Sequence, residues 1–551
     1  MRVARTVPAP GGTGVPHLLA AAASASLAAA ASRPWGLGVL ALVAYAPTFV
    51  ALTSVDKPLQ GAVLAGIASL GLGSVAYEAA QGIFAGGNLL ATLLAALPYL
   101  AVGALTVRLR AALASRFGAA RAQVLALLAL PTVWATAEWL PSRPELLGAW
   151  ALPLGFIGYS QVDLPTAQLA RFGSVAAVSH VVLLVNACLA LAVVREPLGS
   201  LTWLRSGNPT RAGTRRAPAA RLAGVLAGTL LMVTVASAGR LGEAAGSPTV
   251  TASSAVTAAV AATRAQQGQP RLTVEVVQPN VRDSAYFAAS RLPGARSWLV
   301  ESLAARTSQG ADLTVLPEAA WPGVIEAEDL DAVASEASRA FPGSSAVLFG
   351  ATAAGFAGSG KRTNSAFLLA GGELSHVYAK RRLVPVGERA FTPGREPAVL
   401  TVAGVRLAPF VCYDVVFPSD ARNAVRSGAQ VLVVITDDAF AAGSDVPELH
   451  LRAARFRAIE AGVPVVLAAN TGPSAVIEPD GRVASRLPAL EAGVLQAEVL
   501  AGNGATPYVA LGDWWGVLNA LATGGFAALT KGGVSKSKGP AQALSRKEIT
   551  C

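Results

Sequence analysis

Long apolar runs without charge dominate the first 240 residues and return once near the C-terminus. Segments 34–55, 58–77, 79–107, 172–194 and 222–239 contain no Asp, Glu, Lys or Arg, and 122–140 contains only Glu138. A helix needs about 20 residues to cross roughly 30 Å of hydrocarbon, where lipid offers no partner to a bare backbone group. Each of these runs is therefore predicted to span a bilayer. An Ala-rich segment at 18–31 and the stretch 508–530, which starts with Asp513, Trp514 and Trp515, bring the total to about eight α-helical spans. Residues 146–162 are apolar too, but they follow Arg143 and Glu145 and are broken by Pro153 and Gly155. They are predicted to lie at the interface or to re-enter it.

Beyond residue 270 the pattern changes period. Short β-branched runs at 272–277, 313–316, 346–349, 366–369, 398–402, 406–411, 431–435 and 464–468 read as strands. Helical patterns lie between them at 297–308, 330–340 and 448–461. In the last of these Leu449, Phe456 and Ile459 share a face, and Arg452 and Arg455 are expected to turn away from it. This predicts a layered α/β domain. The expected organisation is spans over 1–240, an Ala/Ser/Thr-rich linker over 241–270, the α/β domain over 271–500, a last span over 501–530 and a basic tail over 531–551.

Composition agrees with a chain that belongs partly in a bilayer. Hydrophobic residues make up 53% and charged residues only 14%, where a soluble domain has about a quarter charged. The net charge of +11 would suggest nucleic acid if it covered a folded face. Instead it collects beside apolar runs: four arginines and no acid over 108–121, six arginines and Glu196 over 195–221, and five basic residues with Glu548 from Lys531 onward. Basic segments beside spans lie on the cytoplasmic side. An even number of spans then places residues 241–506 on the outer face, with Trp514 and Trp515 as an interfacial anchor. The first run is short and rich in small residues, so it also reads as a cleavable signal peptide. Its removal leaves the orientation of the rest unchanged. Nucleic acid is not an expected partner.

Three cysteines (Cys188, Cys412, Cys551) and four histidines, scattered without ligand spacing, exclude a disulfide scaffold and give no zinc pattern. Cys188 sits in an apolar run as a packing residue. Cys551 ends the chain without a prenylation box. His376 and His450 are expected to be structural.

Three places in the α/β domain carry more than packing. In LTVLPEAAWPG a strand delivers Glu318 into a loop beside Trp321, where desolvation would raise a carboxyl pKa toward neutrality. In HVYAKRRLVPVGE, Lys380 follows an alternating strand. In RLAPFVCYDVVFP, Cys412 ends an apolar one. Singly each has an ordinary explanation: a helix-starting Glu after Pro, a solvated Lys, an inert core Cys. Together they place an acid, an amine and a thiol just beyond strand ends, where sheet enzymes keep their chemistry.

These contexts resemble the Glu-Lys-Cys triad of the nitrilase (carbon–nitrogen hydrolase) superfamily. With the spans, VVQPNV at the domain start, GYSQVDLPTAQLARFG over 158–173 and LHLRAARFRAIEAGVPVVLAANTGPSAVIEPDGRV from Leu449, the chain is similar to the apolipoprotein N-acyltransferase branch. The resemblance implies an αββα sandwich beside the spans, the bacterial inner (cytoplasmic) membrane, and a catalytic domain on the periplasmic side. It implies Glu318 as base, Lys380 with the backbone N–H of Tyr413 as oxyanion donors, and Cys412 as nucleophile. Glu388 would support Lys380 or the incoming amine, and Asp414 would be a supporting carboxylate. No cofactor or metal is implied. The implied partners are a phospholipid acyl donor and a diacylglyceryl-modified apolipoprotein whose N-terminal α-amine receives the chain. A membrane-tethered amidase or hydrolase and an inactive scaffold are the alternatives. The chain departs from the family at Asp414, where Glu is usual, and in TDDAFAAG over 436–443, where Asp437 takes an Asn place and Phe440 a Trp place.

Overall fold

The computed structural model describes residues 14–83, 85–194, 270–281, 304, 310–356 and 358–531. The predicted span 222–239, the linker before residue 270, the basic segment from residue 195, the helix at 297–308 apart from residue 304, and the basic tail beyond Lys531 lie outside the described residues.

Among the described residues, five helices of the first half are long and apolar enough to cross a membrane: Val15–Ser32, Pro58–Ala76, Gly87–Phe117, Ala119–Ser142 and Pro165–Val193. The stretch expected as a span at 34–55 is not one straight helix. Gly36 adopts a positive φ and Pro47 falls inside the run, so it breaks into short helical pieces within Gly38–Leu52. The start of the expected span at 79–107 is likewise cut off, at Gly86 with φ of 80°, and the long helix begins at Gly87. The stretch 508–530 divides into Pro507–Leu511 and an 18-residue helix, Trp514–Lys531, around Gly512. The segment 146–162 forms short helical turns rather than a span.

Small residues let these helices approach closely. A Cβ on Gly61 would lie 2.5 Å from the Gly103 carbonyl oxygen, and one on Gly103 would lie 1.9 Å from that of Gly61. Such contacts replace the hydrophobic drive that lipid does not supply. The first helix is packed into this bundle: Ala21, Ala28 and Ala31 are buried, and Ser24 Oγ accepts from Thr48 N at 3.2 Å.

Among the described residues the second half forms two sheets. Arg271–Gln278 (β1), Leu313–Val315 (β2), Val324–Glu326 (β3), Ala346–Gly355 (β4), Gly358–Ala370 (β5) and Glu373–Ala379 (β6) join Gly493–Leu500 in one sheet of seven. Leu400–Val402 (β7), Val405–Val411 (β8), Val431–Thr436 (β9), Val465–Ala469 (β10), Ala475–Ile477 (β11) and Val483–Arg486 (β12) form the other, and Gly493–Leu500 is β13. The orders are β13-β1-β2-β4-β5-β6, with β3 beside β4, and β12-β11-β10-β9-β8-β7. Val274, Val276, Leu313, Leu348, Val431, Val433 and Val466 fill the space between the sheets. Outer faces are covered by Leu330–Ala340 on one side and by Pro418–Arg426 and Val446–Ala461 on the other. The expected strands are present. β4 and β5 run longer than their β-branched cores because they pair with each other along almost their whole lengths.

The two halves share a core. Ala151, Phe156, Tyr159 and Ala167 from the helical half pack with Phe410, Tyr413, Phe417 and Phe456 from the sheet half. This leaves only Glu448, Leu449 and Arg455 of Val446–Ala461 partly exposed. Arg452, expected to face away from the core, is buried as a result. The helix Ala170–Val193 breaks at Gly173 and Ser174 (φ 59°), and Val175 N after the break donates to Glu460 Oε1 at 2.8 Å. A carboxylate of the sheet half thus satisfies a backbone N–H that a broken helix leaves open.

Candidate functional site

Three strand ends meet at one point. β2 runs out through Leu316 and Pro317 into Glu318, β6 ends at Ala379 before Lys380, and β8 ends at Val411 before Cys412. The first two belong to one sheet and the third to the other. The chain turns sharply at two of these ends: Ala319 has φ of 54° and Cys412 φ of 48°. Side chains other than glycine reach that region only at a cost, and such strain gathers where geometry serves a site. Glycine at 350 on β4 makes room for the first turn, because a Cβ there would lie 2.6 Å from Glu318 Cα.

Lys380 is 1% exposed and lies between two carboxylates. Its Nζ is 2.8 Å from Glu388 Oε1 and 3.3 Å from Glu318 Oε1. Burial alone would favour the neutral amine. Cys412, Glu318 and Glu388 outweigh it and hold the ammonium well above the ordinary lysine range. For Cys412 burial acts in the other direction: with Glu318 it pushes the thiol well above its ordinary value, against the opposing pull of Lys380. The resting sulfur is therefore a protonated thiol that needs a base.

Glu318 was expected in apolar surroundings, but its carboxylate is held by polar donors. Besides Lys380, Asn364 Nδ2 donates to Oε1 at 2.6 Å and Asp437 N to Oε2 at 2.8 Å. Asn364 Nδ2 also lies 3.0 Å from Glu388 Oε1, and Val384 N donates to Glu388 Oε2 at 2.7 Å. Asn364 thus bridges both carboxylates that flank the lysine. The sequence carries no distinct signal for it, because Asn364 sits among Lys361, Arg362, Thr363 and Ser365 in the polar first half of β5.

Asp414 ties the cysteine turn to the lysine strand. Its Oδ2 accepts from Tyr378 Oη at 2.8 Å and Val411 N at 3.1 Å, and its Oδ1 from Arg382 N at 2.8 Å and Arg381 N at 3.2 Å. Burial, opposed by Lys380 and these backbone donors, raises its carboxyl to about 6. Tyr413 Oη donates to the Ala151 carbonyl at 3.3 Å, which ties the nucleophile turn to the helical half. The Asp at 437 is also accommodated, since its Oδ1 accepts from Asn470 Nδ2 at 2.9 Å. Phe440 lies against Gly82 of the helical half.

His376 is structural, as expected, with Nε2 2.9 Å from Ser365 Oγ and its ring stacked on Phe356. His450 is closer to the chemistry. Its Nδ1 is 2.8 Å from Asp438 Oδ1, and both groups lie within 4.8 Å of the Cys412 sulfur. Burial alone would lower this imidazole's pKa, and Asp438 more than offsets it. The Asp–His hydrogen bond links two members of that cluster to each other.

Comparison with known proteins covers both halves. The carbon-nitrogen hydrolase family matches residues 272–507, and the apolipoprotein N-acyltransferase N-terminal domain matches residues 24–188. An apolipoprotein N-acyltransferase of Vibrio vulnificus is 26% identical over 432 residues, 72% of this chain and 74% of that protein. The one from Ralstonia nicotianae is 33% identical over 45% of this chain and 50% of its own, and the one from Azotobacter vinelandii 31% over 51% and 58%. The chain thus spans about half the length of these last two relatives. A solved amidase from Nesterenkonia sp. is 28% identical over 46% of this chain and 97% of its own, with a TM-score of 0.36. The helical half thus matches an apolipoprotein N-acyltransferase N-terminal domain and the sheet half a carbon-nitrogen hydrolase domain, and with these relatives the matches identify the chain as a member of the apolipoprotein N-acyltransferase family within the nitrilase superfamily.

Proposed function

We propose that this protein transfers an acyl chain from a membrane phospholipid, through a thioester on Cys412, to the N-terminal α-amine of a diacylglyceryl-cysteine on an apolipoprotein. The observation that carries the reading is the buried Lys380, held by Glu318 and Glu388 beside a thiol that burial keeps protonated. Glu318 takes the thiol proton as the sulfur attacks the ester carbonyl. The C–S bond forms, the ester C–O bond breaks, and Glu318 returns the proton to the departing lysophospholipid alkoxide. The lipoprotein amine then attacks the thioester carbonyl. A C–N bond forms, the C–S bond breaks, and the amine proton passes through Glu318 to the thiolate. Lys380 and the Tyr413 N–H stabilise the oxyanion in both steps; donors in such a role typically contribute about 10²–10³ in rate. Glu388 and Asp414 act as positioning residues.

The membrane setting fits both substrates, which acyl chains anchor at about 0.8 kcal/mol per buried CH₂. The sheet half meets the bundle at the end where Arg33 pairs with Glu78 and Asp445. The basic turn of Arg110 is at the other end, where its guanidinium reaches the carbonyls of Thr53 and Val55. That separation supports a catalytic domain on the outer face of the cytoplasmic membrane. The deciding experiment is mass spectrometry of a diacylated lipoprotein peptide incubated with the enzyme and phosphatidylethanolamine. A gain of one acyl chain is expected. Release of free fatty acid with an unchanged peptide would make the protein a hydrolase.

A further inference from the structure

Helix Val446–Ala461 carries a second buried charge that the proposed reaction does not use. Arg452 follows His450 by two residues, about 200° round the helix, and so turns from the Cys412 site toward the helical half. It is 8% exposed. Its Nη1 donates to the Ser32 carbonyl at 2.6 Å and its Nη2 to that of Arg33 at 3.2 Å, which caps the end of the first apolar helix. Among the described residues no carboxylate pairs with it.

A cavity of about 210 Å³ opens beside this guanidinium, between the end of Val15–Ser32, the 160–163 turn and the outer edge of β12. Three more arginines line it, and each has a carboxylate partner: Arg33 with Glu78 and Asp445, Arg455 with Asp163, and Arg486 with Glu448. Asp163 and Glu448 line the cavity, and Glu78 and Asp445 stand behind Arg33, so the three other arginines share four carboxylates and Arg452 is the lining cation without a paired one among the described residues. Burial, reinforced by Arg455, pulls Arg452 below the ordinary arginine range against the opposing pull of Asp163, Glu448 and Asp445.

Size narrows the occupant. The space far exceeds the roughly 10–15 Å³ that one water needs and falls short of the ~300–1,000 Å³ of a site for a drug-sized ligand. Trp35 stands at the rim, largely exposed, with Arg33 over its ring at 5.7 Å. A tryptophan directly after an apolar helix marks headgroup depth, where phosphate is the abundant anion and a guanidinium fork matches its oxygens.

We propose that this cavity binds a phosphate-class anion, lipid-borne or free, with Arg452 as its principal cation. The site is separate from the cysteine centre, so its test reads binding rather than turnover and stands whether or not Cys412 forms a thioester. Full-length protein in detergent micelles is examined by native mass spectrometry with dioctanoylphosphatidylglycerol, with dioctanoylglycerol as the phosphate-free control and inorganic phosphate as competitor. The wild type is expected to retain the phospholipid over the control, and Arg452→Gln to weaken it by roughly tenfold or more. Arg486→Gln alters a side chain that is 41% exposed, leaves the fold intact and weakens binding less. If Arg452→Gln does not fold, Arg486→Gln decides. Displacement by inorganic phosphate at equal concentration identifies free phosphate as a sufficient occupant, and retention identifies the lipid; both support the site. Equal binding of phospholipid and phosphate by the wild type and the folded variants overturns it.

Discussion

Replacing Asn364 by alanine removes one amide that holds both carboxylates beside Lys380. Its Nδ2 lies 2.6 Å from Glu318 and 3.0 Å from Glu388. Glu318 then keeps two donors, Lys380 at 3.3 Å and Asp437 N at 2.8 Å, and Glu388 keeps Lys380 at 2.8 Å and Val384 N at 2.7 Å. Neither carboxylate is abandoned, so the fold is expected to survive while the base loses its shortest restraint. A hydrogen bond to a charged acceptor is worth about 1.5–3 kcal/mol, or roughly 10- to 150-fold in rate if all of it serves to orient Glu318. The assay is the mass of the intact protein after rapid quenching with phosphatidylethanolamine, in which the thioester appears as an added acyl chain that hydroxylamine removes. Asn364→Ala should form it 10- to 150-fold more slowly with a near-native thermal midpoint. Asn364→Asp, which sets a third carboxylate between two others, should be slower still. If Asn364→Ala forms thioester within threefold of wild type at every pH, Asn364 does not position the base.

Cys412→Ala should keep the fold and form no thioester, and an acyl adduct that persists in it would place the nucleophile elsewhere. Lys380→Met strips the buried cation from Glu318 and Glu388, which should cost about 3–5 kcal/mol of stability and slow iodoacetamide labelling of Cys412 at pH 8, since Lys380 is the group that opposes the thiol's upward shift; unchanged labelling would refute that role. Asp414 titrates near 6 in the fold against 3.8 unfolded, so its protonated form is the one the fold favours. That contribution is complete below about pH 4 and disappears as pH rises through 6. The stability of wild type relative to Asp414→Asn should therefore rise by up to about 3 kcal/mol from pH 7 to pH 4, and a constant difference in denaturation midpoints would contradict it. For orientation, an impermeant maleimide should label Glu491→Cys in sealed cells and Arg116→Cys only after the membrane is made leaky; the reverse pattern would invert the topology.

Much of the site was legible along the chain because each member sits in a short, self-contained context. LPE, YAK and CYD each end a strand, and a strand end can be read from its own residues. Glu388 was legible through VPVGE. Asn364 and Asp438 were not, because a polar residue within or beside a strand looks the same whether it meets solvent or a buried carboxylate. Phe440 is a departure visible in the sequence, yet its packing on Gly82 depends on a helix more than 350 positions earlier.

Local physics therefore determined the two kinds of material in this protein: charge-free runs long enough for a bilayer, and β-branched runs with chemistry at their ends. Period and hydropathy are properties of neighbouring residues, so no folding need be known to read them. Only the tertiary structure decided that two sheets bring Glu318 and Lys380 from one side to Cys412 on the other, that the run at 34–55 breaks, and that Arg452 is enclosed by the helical half. Each of these depends on surfaces that meet across hundreds of residues, and the energy of such a meeting belongs to neither segment alone.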